Sequence, residues 1–154
     1  MAIRKIVKEG DEILGKVCRP VTVFDDRLRL LVEDMKDTLA DSNGVGLAAP
    51  QVGILKRLVL VLDEDDETVL VLANPEIVAT SGTQTPTEGC LSVPGVWGKT
   101  VRPAQVTIRA QNEYGEEVTY TRTGITAVCF CHELDHLDGH LFRERVTEYV
   151  YFDD

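Results

Sequence analysis

An α+β fold, with mostly antiparallel strands around a central metal-binding helix, is predicted by three features of the 154-residue sequence. One amphipathic helix is followed by several β-rich runs and then by an apolar helix, an order without the β-α-β alternation of a parallel sheet. Two of the runs are joined by a short polar turn, which makes them antiparallel neighbours. The second helix ends in His132-Glu133-Leu134-Asp135-His136, whose i, i+4 histidines share one face and can close on a single cation.

In chain order, the first helix spans 25–42, where Leu28, Leu31, Val32, Met35 and Leu39 keep a helical period. Asp25 or Asp26 is available as N-cap, and Asp41-Ser42-Asn43-Gly44 supplies the stop. The period then shortens: 57–63, 69–73, 76–80, 105–111 and 117–123 are alternating or β-branched and read as strands. Asp63-Glu64-Asp65-Asp66-Glu67 is a charged turn, and Asn112-Glu113-Tyr114-Gly115-Glu116 closes a hairpin. The segment 87–95, with its glycines and a proline, is expected to be an irregular loop. The second helix grows from the apolar run Gly124 to Cys131 and stops at Gly139; 141–151 is a short tail with no assigned element.

A chain of this length is expected to form one domain, residues 1–154, that buries its own core. The formal charge of −10, from 26 acidic and 16 basic residues, repels phosphate backbones and anionic lipid, so direct nucleic-acid or membrane binding is not expected. The first residues lack the apolar core of a signal peptide and no stretch reaches the length of a membrane span, which predicts a soluble intracellular protein. In a reducing compartment, Cys18, Cys90, Cys129 and Cys131 serve as core filler or as ligands.

A catalytic metal site takes three protein ligands and keeps one position open, so two histidines are not enough. His140 continues the i+4 series but lies about 12 Å of helix rise from His132. Asp135 is turned away from the histidine face, and Cys129 is about 10 Å of rise from His136. Cys90 is distant in sequence and free to meet the helix, yet by residue type alone it is only modestly favoured over a buried inert thiol.

Three segments together resemble the peptide deformylase family: Gly44-Val45-Gly46-Leu47-Ala48-Ala49-Pro50-Gln51, Glu88-Gly89-Cys90-Leu91-Ser92 and His132-Glu133-Leu134-Asp135-His136-Leu137-Asp138-Gly139. The resemblance implies the deformylase fold and a metal-dependent hydrolase that removes the formyl group from the formyl-methionine terminus of newly made polypeptides. By position, the metal ligands would be Cys90, His132 and His136, and Glu133 would be the general acid/base acting on a metal-bound water. Gln51 and the backbone N–H of Leu91 would form the oxyanion site. Val45, Gly46, Glu88, Gly89, Val128 and Cys129 are assigned to substrate binding, with Val45 and Gly46 offering an edge for an extended peptide. The family implies one divalent ion, natively Fe²⁺; a thiolate and two imidazoles also accept Zn²⁺, Ni²⁺ or Co²⁺, so iron comes from the resemblance and not from the spacing. It further implies cytoplasmic work in a bacterium, or an organellar or phage-encoded equivalent, and a transient association with the ribosome.

Trp97 and Cys131 depart from the family pattern, and the chain ends at Asp154 where some members continue into a longer helix. Three rival readings meet obstacles in the sequence. Gly44-Val45-Gly46-Leu47-Ala48-Ala49 satisfies a dinucleotide fingerprint, but it follows a helix and leads into a strand, the reverse of the required context. A zinc peptidase shares the H-E-x-x-H signature but lacks a clear third ligand downstream. A purely structural metal in a binding module would need four protein ligands.

Overall fold

The computed structural model describes residues 2–152. Helix α1 (Asp26–Ser42) is capped by Asp25, whose carboxylate accepts the Leu28 amide at 3.1 Å, and it closes on Asn43 in the left-handed region. Eight strands are present among the described residues: β1 (Gly46–Ala48), β2 (Leu58–Leu62), β3 (Val69–Ser81), β4 (Thr87–Cys90), β5 (Val93–Lys99), β6 (Gln105–Gln111), β7 (Glu117–Thr123) and β8 (Glu148–Val150). Helix α2 (Gly124–Leu137) lies between β7 and β8. A five-stranded sheet has the order β1-β2-β3-β6-β7 and a three-stranded sheet the order β4-β5-β8, with every pairing antiparallel.

The larger sheet is covered by a helix on each face, as strand alternation requires. Leu58 and Leu60 of β2 pack with Leu28, Val32 and Met35 of α1, whereas Val59 and Val61 pack with Ala127, Phe130 and Leu137 of α2. Because β6 adds Val106 and Ile108 to the same side as α2, that helix is buried over most of its circumference. Neither helix is long and apolar enough to cross a membrane.

The expected elements depart from the structure at four places. The runs 69–73 and 76–80 form one strand, β3, with a register shift between Ala73 and Glu76 in place of a turn. Asn74 absorbs the irregularity at φ 50°, its side chain bonding the Val21 backbone at 2.7 and 2.8 Å and Gln111 at 2.8 Å. The segment 87–95 is a hairpin and not an irregular loop, with Cys90 opposite Val93 across a two-residue turn. In the tail, Phe142–Arg145 makes a 3-10 turn and β8 pairs with β5. Strand β1 escaped prediction because its three residues are all buried and show no alternation.

Candidate metal centre

Helix α2 and the β4–β5 hairpin meet at the site. The hairpin carries Cys90 to the end of β4, where its Sγ lies 3.3 Å from His136 Nε2. The rings of His132 and His136 are 5.1 Å apart and inclined at 67°. One ligand atom from each of Cys90, His132 and His136 falls within 4.8 Å of the others. A tetrahedral ion with bonds of about 2.0–2.3 Å separates its ligands by about 3.5 Å, which the Cys90–His136 distance matches, with the His132 nitrogen close by. The electrostatics ask for a cation there. Burial opposes charge on His132, but Cys90, Glu133 and Glu88 raise its affinity for a proton well above the ordinary imidazole range. His136, by contrast, is pushed down to about 3 by burial and by His132.

Behind His132 every polar atom is engaged. His132 Nδ1 lies 2.8 Å from Glu88 Oε1, which fixes the ring so that Nε2 faces the other ligands. Glu88 also accepts from Thr100 and, through both oxygens, from Arg102 at 2.7 and 2.9 Å. Arg102 continues to Asp135 at 3.0 Å, and Asp135 holds Arg145 at 2.7 and 3.0 Å. Burial alone would raise the Glu88 carboxyl, but the bonds from His132, Arg102 and Thr100 prevail and bring it to about 2. Phe142 stacks on the His132 ring with a 5.9 Å centroid separation.

In front of the ligands a carboxyl oxygen is left free. Glu133 is buried and its Oε1 has no hydrogen-bond partner, so desolvation pushes its carboxyl up to about 7. Gly46 makes room for it: a Cβ there would stand 2.5 Å from Glu133 Oε2. Gln51, buried in the 3-10 turn Ala49–Val52, has its amide orientation set by the Ala48 N–H, which donates to Oε1 at 2.9 Å. Its Nε2 therefore points to the site, 3.1 Å from Ser92 Oγ and 3.6 Å from Cys90 Sγ.

These groups open into a cavity of about 640 Å³, lined by every site residue named from the sequence except His136. Val45, Val128 and Cys129 form apolar wall beside His132, and burial pushes the Cys129 thiol up to about 12, which leaves it an inert wall residue. Two of these residues also have partners within the protein. The Glu88 carboxylate is engaged by His132, Thr100 and Arg102 and is not free for a substrate. Gly89 is a seat for Trp97, whose ring would lie 2.5 Å from any Cβ at that position. His140 bonds Glu144 outside the site. Sequence reasoning missed Arg102, Ser92 and Phe142; the one available signal was that a buried Glu88 demands a cationic partner.

A thiol and two imidazoles that converge on one another, beside a protonatable carboxyl at the wall of a cavity and within an α+β frame, define a metal-dependent hydrolase. The family model described as polypeptide deformylase matches residues 3–150. Peptide deformylase 2 of Clostridium acetobutylicum is 53% identical over 151 residues, 97% of this chain and 99% of the relative. The crystal structure of a peptide deformylase from Legionella pneumophila superposes with a TM-score of 0.91 at 44% identity, over 95% of this chain and 87% of that one. That of the Thermotoga maritima enzyme gives 0.91 at 36%, over 96% and 99%. The chain belongs to the polypeptide deformylase family.

Proposed function

We propose that the chain, as one catalytic domain, deformylates the formyl-methionine terminus of nascent polypeptides with a metal held by Cys90, His132 and His136, natively Fe²⁺. The observation that carries this reading is the convergence of those three ligand atoms beside a buried, unpartnered Glu133. When bound, the cation supplies Lewis acidity, lowering the pKa of a water and polarising the formyl carbonyl. Glu133, buried and with one oxygen unpartnered, takes a proton from the attacking water and returns it to the departing amine. The Gln51 Nε2 and the Leu91 N–H donate to the carbonyl oxygen as negative charge grows on it. The methionine side chain enters the apolar wall of Val45, Val128 and Cys129.

Fe²⁺ rests on the family resemblance, since the donor set itself accepts Zn²⁺ as readily. The reading places the chain where nascent formylated chains appear, in a bacterial cytoplasm or, for an organellar equivalent, inside the organelle. Contact with the ribosome, which the family resemblance implies, is transient on this reading. Metal analysis coupled to turnover after anaerobic Fe²⁺ or Zn²⁺ loading tests the assignment. Formate should be released from a formyl-Met peptide and no cleavage seen of its unformylated counterpart. Peptide-bond hydrolysis of the latter would replace the deformylase reading with a peptidase.

A further inference from the structure

Gln51 and Leu91 stand on different sheets. The 3-10 turn holding Gln51 follows β1 of the five-stranded sheet, whereas Leu91 lies in the hairpin of the three-stranded sheet, and the two sheets share no ladder. Their direct links across the site are the side-chain bonds from Gln51 Nε2 to Ser92 Oγ and to Cys90 Sγ. A further link comes from the N-terminal segment, residues 4–9, which has no regular secondary structure but is anchored at both ends. Arg4 bonds Asp34 and Thr38 of α1 at 3.0 and 2.8 Å, and Glu9 pairs with Arg143 at 2.8 Å. Toward its C-terminal end, three consecutive residues reach both sides: the Val7 N–H donates to the Gln51 carbonyl at 2.7 Å, Lys8 Nζ to the Leu91 carbonyl at 3.1 Å, and the Glu9 N–H to the Ser92 carbonyl at 2.7 Å.

We propose that residues 4–9 are a positioning strap that sets the separation of Gln51 and Leu91, with Lys8 as its side-chain contact at the oxyanion site. The inference rests on the oxyanion roles proposed for those two residues. Preorganised donors act only if their positions are held before charge develops, and a donor displaced by a fraction of an ångström loses much of its advantage. Two backbone bonds and the Lys8 side-chain bond from one short segment supply that constraint at the rim of the cavity, which Ile6 and Lys8 also line, so an unchanged KM separates positioning from a direct contact with substrate. Lys8 is exposed and lies outside the core, so replacing it leaves folding intact.

The test compares metal-loaded wild type, Lys8→Met, Lys8→Arg and Gln51→Ala on a formyl-Met tripeptide, with Tm and metal content measured alongside. Lys8→Met is expected to lower kcat by roughly three- to tenfold, a fraction of the loss of a whole oxyanion donor. KM, Tm and metal content should stay at wild-type values, and Lys8→Arg should recover most of kcat. Wild-type kcat in Lys8→Met, or a loss confined to KM, overturns the strap. If Gln51→Ala falls about 10²-fold while Lys8→Met does not change, the strap alone fails; if Gln51→Ala is fully active, the oxyanion reading beneath it fails.

Discussion

The two buried glutamates of the site sit on opposite sides of His132 and are treated in opposite ways. Glu88, behind the ring, receives bonds from three side chains and is held ionised, with its carboxyl at about 2. Glu133, in front, keeps one oxygen without a partner and is raised to about 7. Both are about equally buried, so burial does not separate them. The difference lies in the supply of donors, and it assigns the work: a saturated carboxylate fixes geometry, and an unsaturated one is free to carry a proton. The same contrast runs through the histidines, since His132 Nδ1 is tied to Glu88 while His136 Nδ1 has no protein partner.

The largest effect should come from the front. Glu133→Gln keeps the shape and removes the proton carrier, so kcat should fall by at least about 10²–10⁴ with metal content unchanged. Substantial turnover in that variant would erase the contrast. Glu88→Gln strikes the back. It leaves Arg102 with a neutral partner and loosens the His132 ring, and metal affinity or activity should drop about 10–100-fold. Here the distinguishing measurement is metal affinity by chelator competition: Glu88→Gln should weaken it and Glu133→Gln should not. Gly46→Ala is a smaller intrusion on the front. Its methyl meets Glu133 Oε2 and displaces a carboxyl that needs the space, and kcat should fall by about tenfold, as expected for a small displacement of a catalytic group. An unaffected kcat would show that Glu133 tolerates movement.

Much of the front was legible in the sequence and little of the back. The α1 periodicity and the i, i+4 histidines are local patterns, and each is reproduced by the structure. Glu133 is readable because it lies inside such a pattern. Arg102 has no spacing relation to Glu88 or Asp135; a fold had to bring them together across three elements before their ion pairs existed. Asp135, part of the pentad, lies off the histidine face by helix geometry, but its role at the junction of Arg102 and Arg145 needs partners far away in the chain. The hairpin of β4 and β5 was missed for a related reason: Gly89 reads as flexibility, while its use is to admit the Trp97 ring. Glycines of close approach and of free turns look alike until their neighbours are known.

Stability against pH separates the two glutamates with the gentlest perturbation. In metal-free protein, the carboxyl of Glu88 is depressed below its unfolded value of about 4.3, so its contribution is present above that value and is lost as pH falls toward about 2. Glu133 is raised, so the folded state holds a proton that the unfolded chain releases; its contribution is present at low pH and is lost as pH rises from about 4.3 through about 7. Urea midpoints of wild type, Glu88→Gln and Glu133→Gln across pH 3 to 8 should therefore diverge in opposite senses. The advantage of wild type over Glu88→Gln should shrink on acidification, while Glu133→Gln should gain on wild type between about pH 5 and 7. Parallel curves for all three proteins would mean that the two carboxyls titrate alike, and that the saturated back and the open front do not differ in the way their hydrogen bonds indicate.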